Sequence, residues 1–238
     1  MYMWTQIVVI LLSFMLGTSV SYGQGTKAPA KSKPVRFTQG GYEYTVQSAL
    51  RDGRLEMVVR YTSTATRSSV QPGEIRVALG RKDASITSRA GDGSTIALTQ
   101  TGPRLTAVYS HGGKTTRKEG SEAGVMRFVE DQDKANATRR PKTDSPFGKF
   151  TATDPALRAK MKKSILQTIK ELKERRKDEW DRAIEEWERR CREDPQMMGC
   201  PQMSLCGRAG DCCGGGSAIC CAVGVGCDFF EWLTNFEN

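Results

Sequence analysis

The sequence predicts an α+β protein with an antiparallel immunoglobulin-like β-sandwich, one long amphipathic helix and a disulfide-rich C-terminal tail. Three observations predict this class. Residues 37–130 alternate apolar and polar side chains over short runs, residues 155–191 repeat apolar side chains every three or four positions, and all eight cysteines lie in the last part of the chain. A small β-barrel is the alternative for the strand-rich region.

Residues 1–23 have the pattern of a secretory signal peptide. Their apolar core is followed by small and polar residues, with Ser21 and Gly23 at the positions that precede a cleavage site. The apolar run is shorter than the roughly twenty residues that span a bilayer. We therefore expect a secreted, periplasmic or cell-envelope protein without a spanning helix in the mature chain.

Residues 24–36 form a basic segment that contains three lysines, two prolines and almost no large apolar side chain. Such a segment buries too little apolar surface to offset the entropy lost on ordering. We expect a flexible basic arm.

The predicted β-sandwich occupies residues 37–130, where seven short runs show the alternation of half-buried strands. Asp52-Gly53 separates the first two runs, and this dipeptide tolerates the positive φ angles of a tight hairpin. Clusters of Gly, Pro, Asp and Ser separate the others, and such regular spacing favours a sandwich. The runs are 42–46, 54–64, 74–79, 84–87, 94–100, 104–110 and 124–130.

Residues 131–154 are polar and contain two prolines, which predicts a linker. The sequence Asn136-Ala137-Thr138 within it matches the motif that accepts an N-glycan in organisms that glycosylate secreted chains. We interpret it only as a sign of exposure.

A single amphipathic helix is predicted for residues 155–191. Asp154 is suited to the N-cap and Pro155 to the first helical position. The apolar residues recur at steps of three and four, with one gap at Arg176, and a helix of this length is about 55 Å long. Because part of it would project from a small sandwich, we expect its stripe to bind a partner. The partner-binding residues are Ile165, Ile169, Leu172, Trp180, Ile184 and Trp187.

Most basic residues of this helix lie in its N-terminal half and most acidic residues in its C-terminal half, which is the reverse of what the helix macrodipole favours. Residues 158–177 contain nine basic and two acidic side chains, whereas residues 178–190 contain three basic and six acidic ones. Antiparallel self-association or a protein partner would pair the two halves, and an anionic surface would attract the basic half. A solvated helix folded back on the sandwich is the remaining alternative.

Residues 192–238 form a tail rich in cysteine and glycine. An even number of cysteines in an exported chain favours disulfides. A segment with so few large apolar residues also needs cross-links to form a stable fold. We expect four structural disulfides, with the pairing open. The cysteines are Cys191, Cys200, Cys206, Cys212, Cys213, Cys220, Cys221 and Cys227.

A soft-metal site is the alternative for this tail. The spacing does not match the paired cysteines of zinc sites or of redox catalysts. Thioether and thiolate ligands suit copper(I), however. The corresponding set is Met197, Met198, Cys200, Met203 and Cys206.

The sequence offers no catalytic residue that we would assign, and we expect no cofactor. The single histidine, His111, lies in a turn-like stretch without a nucleophile motif, and no phosphate-binding loop is present. A secreted hydrolase of unrecognised type is the alternative.

The net charge of +9 points to an anionic partner. Residues 24–150 hold 22 basic and 12 acidic side chains, so the excess lies in the β region and its flanks. The arm lacks the aromatics of a base-stacking site, so we expect an anionic surface or polymer and no specific nucleic acid. The C-terminal stretch from Asp228 to Phe236 is a candidate for a short helix that contacts a membrane or a partner. The sequence thus predicts an exported, non-catalytic binding or envelope-structural protein.

Overall fold

The structure is a computed structural model that describes residues 28–65, 72–91, 93–137, 154–200 and 218–234. In this part of the chain, nine strands form one antiparallel sheet. Three of the four described helices pack against the sheet, and the other packs on one of these helices. The strands are β1 (Ala30–Lys31), β2 (Val35–Gln39), β3 (Tyr42–Arg51), β4 (Arg54–Ser63), β5 (Gly73–Leu79), β6 (Asp83–Arg89), β7 (Thr95–Thr101), β8 (Arg104–His111) and β9 (Lys114–Gly120). The helices are α1 (Glu122–Ala137), α2 (Pro155–Arg175), α3 (Lys177–Glu193) and α4 (Ala218–Thr234).

The sheet is an open meander. Each strand from β3 to β9 pairs with the next, while β1 and β2 both pair with β3 and together form the first edge. The predicted α+β class and antiparallel strands are confirmed. The immunoglobulin-like sandwich is not, because all described strands belong to one sheet, and the sheet does not close into the alternative barrel.

Two-residue turns set the register of the meander. Asp52 and Gly53 connect β3 to β4 with φ angles of 51° and 74°, as the sequence predicts for this hairpin. Gly112 and Gly113 make the equivalent turn between β8 and β9. The turns after β3, β5 and β7 therefore lie at one end of the sheet, and those after β4, β6 and β8 at the other.

Alternate residues of the strands face a core that the helices cover. One row of buried, directly paired side chains crosses five strands and consists of Met57, Val77, Ile86, Leu98 and Ala107. Helix α2 packs on β1, β2 and β3, α4 on β5 and β6, and α1 on β8 and β9. The opposite face of the sheet carries polar and charged side chains of intermediate exposure.

The strand predicted for residues 124–130 is wrong, because these residues lie in α1. Val125, Met126 and Val129 are buried at helical spacing. The helix continues through residue 137, so the first part of the predicted linker is helical. Residues 138–153 of the linker lie outside the described residues.

The predicted flexible arm is also wrong for residues 28–36, which are held against the sheet and α2. The backbone N–H of Ser32 donates to the carbonyl of Ser48 at 2.8 Å. The backbone N–H of Lys33 donates to Glu171 Oε2 at 2.8 Å, and Arg175 Nη1 donates to the Lys31 carbonyl at 2.8 Å. The predicted signal peptide and residues 24–27 lie outside the described residues.

The predicted long helix is two helices that meet at Arg176. Asp154 caps α2 as predicted, since its Oδ1 accepts from the Leu157 N–H at 2.9 Å, and Pro155 begins the helix. Arg176 leaves helical geometry (φ −141°, ψ 46°) and separates α2 from α3. The gap in the apolar spacing at Arg176 therefore marks a break that lets both helices follow the core.

The predicted partner-binding stripe lies inside the protein's own core. Five of its six residues are at most 5% exposed, and Ile184 is partly buried against the same core. Folding of α2 and α3 onto the core satisfies their apolar surface, so the expectation of a partner for this stripe is wrong for this fold. The buried five are Ile165, Ile169, Leu172, Trp180 and Trp187.

The C-terminal tail contributes α4 to the core. Val225, Phe229 and Phe230 are at most 1% exposed, which explains why this stretch is apolar. Arg158 of α2 donates to both carboxylate oxygens of Asp228, at 2.8 and 3.1 Å, and its guanidinium lies 6.0 Å from the Trp232 ring centre. In the described part of the chain, no helix combines the length and apolar character that crossing a membrane requires.

Gly226 lets α4 approach the sheet closely. A Cβ at this position would lie 2.6 Å from Cδ1 and 2.9 Å from Cγ1 of buried Ile86. We expect Gly226→Ala to lower the free energy of unfolding by about 1–3 kcal/mol through overpacking. The control is Gly124→Ala in α1, where the nearest atom is Ser121 Oγ at 3.4 Å and the better helix propensity of Ala adds up to about 1 kcal/mol. Urea unfolding distinguishes the two, and equal stability of Gly226→Ala and wild type would contradict the close approach.

Asp228 gives the protein a titrating contact between α2 and α4. Burial raises the pKa of Asp228, and the ion pair with Arg158 opposes this only in part. The folded state thus holds the proton more tightly than the unfolded chain does. This stabilisation is complete below the unfolded pKa of about 4 and is lost as the pH rises through the raised folded value.

We expect Asp228→Asn to remove this pH dependence. The stability of wild type relative to this variant should fall as the pH rises from about 3 to about 7, measured by urea unfolding. The exposed neighbour variant Glu231→Gln should keep the wild-type trend. If the free energy of unfolding changed with pH in the same way for wild type and Asp228→Asn, the raised pKa of Asp228 would be contradicted.

Candidate functional site

The cysteines whose side chains the structure describes are disulfide-bonded. Cys191 and Cys200 form a disulfide that closes the turn after α3, and Cys221 and Cys227 are disulfide-bonded too. None of the described cysteines is free. Cys206, Cys212 and Cys213, and the side chain of Cys220, lie outside the described residues, so the full set of four disulfides stays a prediction.

The alternative copper site does not form from its described members. The sulfur of Cys200 is bonded to Cys191 and is no thiolate ligand. Met197 and Met198 are buried, and Met197 Sδ lies 2.9 Å from Arg190 Nη2. Met203 and Cys206 fall outside the described residues. The disulfide therefore overturns the soft-metal assignment of this set.

A charged groove lies on the sheet face opposite the helices. It has a volume of about 850 Å³ and is open to solvent at the end that carries the β3–β4 and β5–β6 turns. We call it the sheet-end groove. Its lining residues are Pro29, Lys31, Ala49, Arg51, Asp52, Arg54, Glu56, Gly80, Arg81, Lys82 and Asp83.

Arginine partners engage each carboxylate of the sheet-end groove. Asp83 accepts from Arg54 at 2.6 Å, and Asp52 lies 3.4 Å from Arg51. Glu56 accepts from an arginine outside the lining, Arg76, at 2.6 Å. Three of the five basic groups in the lining, Lys31, Arg81 and Lys82, remain exposed and form no salt bridge with the described residues. Arg81 nevertheless interacts electrostatically with Glu186 of α3, whose pKa is lowered mainly by Arg189 and in part by Arg81.

The Arg54–Asp83 ion pair lies directly over a glycine backbone. A Cβ on Gly80 would be 2.3 Å from Asp83 Oδ1 and 2.8 Å from Arg54 Nη1. A Cβ on Gly53 would be 3.1 Å from Arg81 Nε, so the Arg81 side chain reaches the neighbouring hairpin turn. Because Gly80 and Gly53 have no side chains, Arg54 and Arg81 can pack directly over the backbone at these two positions.

A buried arginine lies behind the wall of the groove. Arg190 is 5% exposed, and its Nη1 donates to the Gly80 carbonyl. It makes no ion pair with any described residue. Burial lowers the pKa of Arg190, and the attraction of the Asp83 and Glu186 carboxylates offsets this only in part. The charge adds positive potential at the β5–β6 end of the groove.

The sheet-end groove uses residues that the sequence did not single out. Arg81 and Lys82 are adjacent cations in the turn between two predicted strands, a visible signal. Lys31 could not be placed with them because its pairing with Ala49 of β3 is a long-range contact. His111 lies at the other end of the sheet, beside the β8–β9 turn.

The arrangement can attract and hold negative charge. Its lining contains no aromatic side chain for stacking, and its carboxylates are all held by arginines. Among the described residues, no group of three His, Cys, Asp or Glu side chains could hold a metal ion. Comparison of the chain with protein-family models, with curated proteins and with solved structures finds no match.

Proposed function

We propose that this protein is an exported, non-catalytic binding protein that holds an anionic polymer in the sheet-end groove. The observation that carries the proposal is the set of three exposed cations, Lys31, Arg81 and Lys82, in one groove where every carboxylate already has an arginine partner. An anionic ligand would neutralise them without displacing a salt bridge.

Two further features support this proposal. Acid–base catalysis needs carboxyl groups that are available to a substrate, and those of the groove are engaged. The disulfides of the C-terminal region suit an oxidising compartment outside the cytosol.

The proposal predicts that binding depends on the position of charge and not only on its amount. We expect the triple variant Lys31→Gln, Arg81→Gln, Lys82→Gln to bind fluorescently labelled long-chain inorganic polyphosphate at least about tenfold more weakly than wild type, since three phosphate contacts are lost. Equilibrium titration by fluorescence anisotropy at fixed salt measures the change. All three side chains are exposed, so the fold should be retained.

Helix α2 provides a matched control. Lys162, Lys163 and Lys170 are exposed and have no ion-pair partner among the described residues. Replacing them with Gln removes the same three charges and should weaken binding by less than about threefold, because only the long-range field changes. Equal losses in the two triple variants would show attraction by net charge alone and would refute the groove.

A further inference from the structure

The three unpaired cations of the sheet-end groove are not at one point. Lys31 is on β1, whereas Arg81 and Lys82 are in the β5–β6 turn. The path from β1 to β5 crosses β3 and β4. Three interstrand steps of roughly 4.8 Å place the backbones of β1 and β5 about 14 Å apart. The Arg81 side chain reaches back to Gly53, but Lys31 pairs with Ala49, four residues earlier in the chain, which is a separation of about 13 Å along an extended chain. We therefore expect a single small anion to contact only one end.

The two ends of the groove differ in positive charge. The β5–β6 end has two adjacent cations and the buried Arg190 directly behind Gly80. The β1 end has Lys31, whose backbone is fixed by pairing with Ala49 and by Arg175. A short anion should therefore occupy the β5–β6 end, and Lys31 should add affinity only for a ligand long enough to reach it.

We infer that the ligand of the groove is a linear polyanion that crosses the strand ends from Arg81 and Lys82 to Lys31. This inference rests on the proposed function and adds that the ligand is linear and spans the groove. The ligand carries at least two anionic groups separated by on the order of 10 Å or more. Because no aromatic side chain lines the groove, the ligand is recognised by its spaced charges and not by stacked rings.

The test uses the full chain and unbranched inorganic polyphosphates of increasing length, beginning with triphosphate. For wild type, affinity per chain should rise with length until the chain spans the groove. Lys31→Gln should bind triphosphate within about twofold of wild type and should lose about three- to tenfold of the affinity for long chains. The exposed control Lys170→Gln should follow wild type at every length.

The outcomes separate the two proposals. Binding that depends on the groove triple but shows the same length dependence in wild type and Lys31→Gln overturns the spanning ligand and leaves the proposed function standing. Equal loss at all lengths in Lys31→Gln also overturns it, since Lys31 would then belong to one compact site. Absence of binding at every length overturns both.

Discussion

Replacement of Trp180 with alanine is expected to lower the free energy of unfolding by about 3–5 kcal/mol, as large-to-small substitutions of buried aromatic residues do. Trp180 is 1% exposed and belongs to the continuous core under the sheet. The same residue would be an exposed anchor if the α2–α3 stripe bound a partner. Chemical unfolding together with sedimentation velocity tests both properties in one sample.

A milder variant covers the case in which Trp180→Ala does not fold. Trp180→Phe retains most of the apolar volume and should cost less than the alanine variant while leaving the oligomeric state unchanged. Control variants on the exposed face of α3, such as Arg182→Ala, should change stability by less than about 0.5 kcal/mol. A Trp180→Ala protein that keeps wild-type stability but loses self-association would contradict burial of the stripe within one chain.

The double variant Cys191→Ala, Cys200→Ala is expected to lose about 2–3 kcal/mol, because the disulfide closes a loop across nine residues of sequence separation. The turn it closes fits tightly between α3 and the sheet. Trp187 Nε1 donates to the Gly199 carbonyl at 3.0 Å, and a Cβ on Gly199 would lie 3.0 Å from Leu79 Cδ1. Loss of the disulfide frees this turn in the folded protein. It also raises the conformational entropy of the unfolded chain.

Thermal and urea unfolding of the double variant measure this loss. The control is Glu193→Ala in the same segment, whose ion pair with Arg189 is exposed and screened by solvent and should contribute little to stability. Intact mass after alkylation verifies that the other cysteines stay oxidised in each variant. Unchanged stability of the double variant would show that the turn is held by its packing alone.

Local sequence signals predicted several elements of this fold. The period-two alternation identified β3 and β4, and Asp52-Gly53 identified the hairpin between them, because both depend only on neighbouring residues. Asp154 and Pro155 likewise identified the start of α2. These features arise from side-chain direction, backbone sterics and capping, which act over a few residues.

Long-range pairing could not be predicted in the same way. Alternating strands suit one open sheet as well as a sandwich, and only the pairing of each strand with the next decides between them. The gap at Arg176 was visible, but whether it marks a charged position in one helix or a break between two depends on the core that α3 must reach. Residues 124–130 gave too short a window to separate a strand from the first turns of a helix.

The candidate site was harder to predict from the sequence than the fold, because it depends on contacts between different strands. The basic charge of the β region was evident from composition, and it predicted an anionic partner. Which cations remain available depends on ion pairs such as Arg54–Asp83 and Arg76–Glu56, which join different strands. The groove therefore emerges only when the register of β3 to β6 is known.

The salt dependence of polyphosphate binding tests the sheet-end groove most directly. A plot of the logarithm of the binding constant against that of the salt concentration has a slope set by the number of cations that contact the polymer. Replacing Lys31, Arg81 and Lys82 with Gln should reduce the magnitude of that slope by about two to three, whereas replacing Lys162, Lys163 and Lys170 should leave it unchanged. An unchanged slope in the groove variant, or the same reduction in both variants, would contradict binding at the groove.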